Sequence, residues 1–268
     1  MKVISFMAIK GGGGKTTIAF QFAQYLQSKN KKVLMIDMDS QKSLTGTFVN
    51  KENNFLGKYN ISDILLKNYS DDFSTKVSEN IDVIPSISNL EEVADNLSNK
   101  PNKELLLFMW FIKYSRILDE RYDFVLIDLP PAWNLLTKNG AAVADIIISP
   151  LEPSRFGYES YSKVLQSVNV LKNELVDPLN GQTYISAKVF FIGNRVKHNT
   201  KSSREFLEAI ENLDNVIGVI PEKELINTSM LVKMSVYDYA IEINQNQSQV
   251  LFLNNISEIF KKIEKLEE

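Results

Sequence analysis

Short apolar, β-branched runs recur along the chain, separated by longer stretches with helical patterning. The runs are Lys2–Ile9 (KVISFMAI), Lys32–Asp37 (KVLMID), Ile81–Pro85 (IDVIP), Phe124–Asp128 (FVLID), Ile146–Pro150 (IIISP), Lys188–Asn194 (KVFFIGN) and Val216–Ile220 (VIGVI). Each is nearly continuous in apolar character rather than alternating, the mark of strands buried on both faces of a parallel sheet. Between them, Thr16–Ser28, Lys103–Leu118, Ser160–Leu175 and Ser248–Leu266 repeat apolar positions at helical spacing. Lys103–Leu118 is apolar enough to predict a well-buried helix. Asn60 stands as an N-cap before ISDILLK. Alternating strand and helix predict a doubly wound α/β fold, a mostly parallel sheet flanked by helices with right-handed crossovers. The polar intervals Asn50–Lys58 and Asn68–Asn80 read as surface loops around a short helix. With no internal repeat and no Pro/Gly/Ser linker, residues 1–268 are expected to form a single domain.

Composition narrows the possibilities. The chain has 268 residues, of which 44% are hydrophobic, enough for a substantial core and against disorder. It contains no cysteine, which excludes disulfides, thiolate zinc sites and cysteine-held iron–sulfur clusters. A reducing cytoplasm would pose it no redox problem. Met1–Ile9 is too short for a signal peptide, and no apolar stretch approaches the roughly 18 residues of a membrane-spanning helix. Net charge is −3, so any nucleic-acid contact must come from a local patch rather than a global basic field.

The densest candidate chemistry is the run Lys10–Thr17, KGGGGKTT, between the first strand and the first helix. The general phosphate loop, G-x-x-x-x-G-K-[ST], asks for glycine where Ile9 stands. The context still fits, because glycines at a strand-to-helix turn let backbone N–H groups close on phosphate oxygens at a helix N-terminus. Gly11, Gly12, Gly13 and Gly14 would form the cradle. Lys15 would reach the β- and γ-phosphates, Thr16 would place its hydroxyl on Mg²⁺, and Thr17 would meet the α-phosphate. The other reading is a plain flexible turn.

The run KGGGGKTT resembles the deviant Walker A loop, K-G-G-x-G-K-[ST], of the ParA/MinD ATPases. The resemblance implies a P-loop fold, ATP and Mg²⁺ as cofactors, and a homodimer in which Lys10 reaches the partner's phosphates. Gly13 departs from it, since relatives often carry valine there. Further motifs carry the resemblance along Lys2–Ile220. Asp37–Gln41, DMDSQ, is similar to the family's D-x-D-P-Q segment, with Ser40 in place of the proline. It implies that Asp39 orients the attacking water and Asp37 supports the metal shell; taken alone, two acids at a strand end also suit an exposed turn. Asp128 closes an apolar strand in the Walker B manner and would aim a carboxylate at Mg²⁺. Pro130 and Pro131 follow, then Asn134–Asp145, NLLTKNGAAVAD, which matches the family closely, although Leu129 replaces its threonine. Asn194 is the implied adenine contact, with Pro221 and Glu222 along the base. No guanine-selecting motif stands near Asn194, which favours ATP over GTP.

The family divides by partner. Iron-protein relatives need bridging cysteines and are excluded. A MinD-like membrane ATPase would end in a basic amphipathic helix, whereas this chain ends KIEKLEE, a mixed-charge pattern suited to packing on the sheet. A weakly hydrolysing, nucleotide-gated adaptor or corepressor is the remaining alternative. A ParA-type partition ATPase is the reading adopted. It implies slow ATP hydrolysis, nonspecific DNA binding by the ATP dimer, a centromere-binding ParB-like partner that stimulates release, no membrane contact, and a cytoplasmic, nucleoid-associated location. No helix-turn-helix precedes the phosphate loop, so operator binding is not expected. The dense basic run at 195–204, RVKHNTKSSR, offers Arg195, Lys197, Lys201 and Arg204 to DNA phosphates; its bland reading is a solvated loop and helix start.

Overall fold

A computed structural model describes residues 1–49, 54–55, 57–153 and 157–267. Eight strands form one sheet: β1 (Lys2–Phe6), β2 (Val33–Asp37), β3 (Thr75–Lys76), β4 (Ile81–Ile84), β5 (Phe124–Asp128), β6 (Ile146–Leu151), β7 (Lys188–Val196) and β8 (Val216–Pro221). Their order is β3-β4-β2-β5-β1-β6-β7-β8. All neighbouring pairs are parallel except the antiparallel pair β3–β4 at one edge.

Side chains alternate between the two faces, and each face feeds its own core. Val3, Leu34, Ile36, Val125 and Ile127 pack under α3 (Ile61–Leu65), α4 (Leu90–Leu97), α5 (Leu106–Arg121), α6 (Leu135–Ala142), α7 (Gly157–Glu174) and α8 (Lys201–Ile210). Ile4, Phe6, Met35, Leu126 and Ile148 pack under α1 (Lys15–Ser28), α2 (Ser43–Phe48), α9 (Glu224–Leu231), α10 (Val236–Glu242) and α11 (Gln247–Lys265). Burial on both faces is why the strands read as unbroken apolar runs.

The seven expected strands are present. The first ends at Phe6 rather than Ile9, because the chain there leaves the ladder for the glycine loop. β3 lies inside the interval expected to be a loop; two residues are too few to show a period. The helix expected at Lys103–Leu118 opens as a 3₁₀ turn over Lys103–Leu105 and runs on to Arg121. It buries one face only, through Leu106, Leu107, Trp110, Tyr114 and Leu118, while Ile112 is 61% exposed. Asn60 caps α3 in a full capping box with Asp63. The interval Asn50–Lys58 falls largely outside the described residues. The final helix buries Phe252, Ile256, Ile259, Phe260 and Ile263 against the second core, and Lys2 Nζ caps its last carbonyls by donating to Glu264 O at 3.0 Å and to Leu266 O.

Candidate nucleotide and metal site

The order of the sheet brings three strand ends to one place. β5 lies between β1 and β2, and Asp128 is in register with Phe6 on one side and Asp37 on the other. The glycine loop, the Asp37–Gln41 turn and the Pro130–Pro131 turn therefore converge at the carboxyl end of the sheet, where ligands of open α/β folds bind. They border a cleft of about 630 Å³.

The four glycines are not equivalent. Gly12 and Gly14 hold φ of 90° and 87°, which side-chain-bearing residues rarely adopt. A Cβ on Gly14 would also stand 2.4 Å from Asn194 Nδ2, whereas one on Gly13 would meet Pro150 Cγ at an ordinary 3.6 Å. Gly14→Ala should therefore lower stability by about 2 kcal/mol, and Gly13→Ala should be neutral or stabilising by about 0.5 kcal/mol. Urea unfolding of the two variants checks this; equal effects would contradict it. Gly14 is also the N-cap of α1 and makes no side-chain cap, so the first N–H groups of that helix face the cleft as an anion site. Lys15 begins the helix and is only 6% exposed.

Thr16 Oγ1 donates to Asp128 Oδ2 at 2.6 Å. The other oxygen of Asp128, Oδ1, is buried without a partner. Burial, reinforced by the charge of Asp37, pushes the Asp128 carboxyl up to about 8. A hydroxyl and an unsatisfied buried carboxylate beside a phosphate cradle form a donor set that a hydrated divalent cation completes. Among the described residues no cluster of three His, Cys, Asp or Glu could hold a metal.

Asp37 is fully buried, and burial pushes its carboxyl up to about 6. It accepts from Asp39 N at 3.0 Å and from Thr45 N and Thr45 Oγ1, each at 2.7 Å. Three protein donors thus make it a brace for the turn that carries Asp39. Asp39 lines the cleft and accepts from Gln41 N at 3.0 Å.

These shifts set a pH dependence. A carboxyl with a folded pKa near 8 and an unfolded value near 3.8 binds more protons when folded. Stability of the metal-free protein therefore falls as pH rises from about 4 to about 8. Asp128→Asn removes that penalty and should stabilise the metal-free protein by about 2 kcal/mol at pH 8, with little gain below pH 4. Urea unfolding at both pH values, in a chelator, measures it; a variant less stable at pH 8 would refute it.

Lys10 is exposed and borders a small recess with Ser149, Glu152 and Ser160. Pro131 lies against Gly11. Asn194 is 6% exposed and donates to Gly13 O at 2.8 Å, so it supports the loop from beneath. A small recess joins it to Thr17, Pro221 and Glu222, and adds Asn227, which no motif marked in the sequence. Met230 and Leu231 of α9 and Lys233 in the turn that follows it form a further wall of the main cleft, also without a motif. The basic run is compensated in space. Arg195 pairs with Glu152 at 3.3 Å, Lys197 with Glu222 at 3.7 Å and Lys201 with Glu205 at 3.7 Å, while Arg204 is exposed. Arg195 also borders the cleft.

Comparison with known proteins places this geometry. The AAA_31 family model, an AAA domain, matches residues 1–181. The chromosome-partitioning ATPase Soj of Treponema pallidum is 30% identical over 179 residues, covering 65% of this chain and 66% of that one. A plasmid partition protein of Borrelia burgdorferi superimposes with a TM-score of 0.72 at 30% identity, covering 98% of both chains. The BB_S35 protein of Borrelia burgdorferi B31, bound to AMPPNP, gives a TM-score of 0.76 at 28% identity over 98% of this chain and 99% of that one. The phosphate loop, the acids at the strand ends and these matches agree: the chain belongs to the AAA_31 family and to the ParA-type plasmid and chromosome partition proteins.

Proposed function

We propose that the chain is a Mg²⁺-dependent ATP hydrolase that alternates between a monomer and an ATP-bound dimer in plasmid or chromosome partition. The observation that carries the reading is the Thr16–Asp128 pair: Thr16 lines a cleft of about 630 Å³, and its hydroxyl is held by a buried carboxylate with one oxygen left unsatisfied. Gly11–Gly14, Lys15 and Thr17 hold the phosphates, and Thr16 and Asp128 hold the metal, with Asp37 reaching it only through water. Bound Mg²⁺ would neutralise phosphate charge as it builds. Asp39 orients the attacking water. Lys10, exposed beside the loop, supplies a cation to the partner's phosphates. Asn194 steadies the loop, and Pro221, Glu222 and Asn227 border the base.

The ATP dimer binds nonspecific DNA, and a ParB-like centromere-binding protein stimulates hydrolysis and release. Arg195, Lys197, Lys201 and Arg204 form the DNA face. Dimerisation brings that face together from two chains, offsetting the weakness of a patch whose cations already have acidic neighbours. A membrane role is not favoured, because the final helix spends its apolar face on the core and, among the described residues, no helix is long and apolar enough to cross a membrane.

Retention of nonspecific DNA fragments with ATP, with ADP and without nucleotide tests the reading, with anionic liposomes alongside. We expect retention that requires Mg²⁺ and ATP and weakens steeply between about 50 and 200 mM salt. Liposome binding without DNA binding, or DNA binding indifferent to nucleotide, would overturn it.

A further inference from the structure

The turn that carries Asp39 joins β2 to α2, and it is tied to the β4–α4 side of the molecule at two points. Thr45 of α2 donates its hydroxyl to Asp37 and accepts from Ser86 N at 3.0 Å. Next to Asp39, Ser40 Oγ donates to Glu91 Oε1 at 3.0 Å. Ser40 is only 9% exposed, and Glu91 stands in the first turn of α4. Ser40 is also where the sequence departs from the proline of the related motif. Proline would fix φ at this point of the turn; serine does not. Two residues on, Lys42 holds φ of 55°, a left-handed conformation that a side-chain-bearing residue keeps only when its surroundings enforce it. A turn without the proline and with a strained exit needs restraint from outside.

We propose that Glu91 is a positioning residue for Asp39: through the Ser40 hydroxyl it holds the β2–α2 turn in the conformation that presents the Asp39 carboxylate to the cleft. The kinetic consequence rests on the hydrolase reading; the structural consequence does not. Three amides report the turn directly. Asp39 N donates to Asp37 Oδ1, Gln41 N to Asp39 Oδ1, and Lys42 N to Asp39 O at 2.9 Å. Glu91 also sits where an acid favours the α4 helix dipole, so its charge and its hydrogen bond must be separated.

Hydrogen exchange at the amides of Asp39, Gln41 and Lys42 is measured in nucleotide-free protein, together with ATP turnover, for four variants. Glu91→Ala should raise exchange at these amides about fivefold, the loss of one net hydrogen bond. It should lower kcat about tenfold with KM within about twofold, since a misplaced water-orienting group slows chemistry rather than binding. Glu91→Gln keeps the acceptor and should behave as the parent. Ser40→Pro alone should be near neutral, and Ser40→Pro combined with Glu91→Ala should recover both protection and kcat, because the ring replaces the lost restraint. A purely helix-stabilising Glu91 would lower stability without moving the three amides. Parent-like exchange in Glu91→Ala, or losses that Ser40→Pro leaves in place, would overturn the proposal. A parent protein that does not hydrolyse ATP would remove the hydrolase reading instead, and the exchange rates would still decide whether Glu91 holds the turn.

Discussion

Lys15→Gln is expected to weaken ATP binding at least a hundredfold. Lys15 is 6% exposed at the start of α1, where the loop and the helix N-terminus already face the cleft. Its ammonium would meet the β- and γ-phosphates, and each charge-assisted contact contributes about 1.5 kcal/mol or more. Two such contacts amount to about 3 kcal/mol, a factor of roughly a hundred. Glutamine has a shorter reach and no charge, so neither contact survives. On the proposed reading the cation serves a ligand, so the effect should fall on affinity more than on folding. Calorimetric titration with ATP and Mg²⁺ measures it, and urea unfolding controls for folding. A dissociation constant within threefold of the parent would remove Lys15 from the phosphate site.

Asp39→Ala is expected to slow ATP turnover by about a hundredfold to a thousandfold while leaving ATP affinity near the parent's, the range seen when a group that orients or deprotonates a nucleophile is lost. The ATP-bound dimer should then accumulate on DNA, because the step that releases it is blocked. The structure supplies a control. Asp39 also accepts from Gln41 N at 3.0 Å, so alanine removes a turn contact together with the carboxylate. Asp39→Asn keeps an acceptor for that amide and loses the basicity. If both variants stall, the carboxylate acts on water. If only alanine stalls, Asp39 is a turn residue. Single-turnover measurements separate chemistry from nucleotide exchange.

Much of the site was legible in the sequence because its parts are adjacent in the chain. A strand, a glycine turn, Lys15-Thr16-Thr17 and a helix stand in one covalent run, and backbone preference alone shapes such a run. Asp128, like Asp37, stood out as an acid closing an apolar strand. Other parts left no local trace. Met230, Leu231 and Lys233 line the cleft, and Asn227 the recess beside it, from a helix and turn with no recognisable motif. The run from Arg195 to Arg204 looked basic because Glu152 and Glu222, which pair with Arg195 and Lys197, come from other elements. β3 and the helices α2, α4, α9 and α10 are too short for their periodicity to stand out.

The amino-acid sequence by itself determined the fold class, the phosphate loop and the identity of the acids, since apolar periodicity and glycine chemistry act over a few residues. Only the tertiary structure decided how those acids are held. Strand order set Asp37 and Asp128 side by side at zero accessibility or close to it, and shared burial raised both pKa values. It gave Asp37 three donors and made it a brace, and it left one oxygen of Asp128 open beside Thr16. The two carboxylates are 91 positions apart in sequence numbering. Their division of labour comes from desolvation and hydrogen-bond satisfaction, which depend on every neighbour in space and so cannot be read from any one segment of the chain.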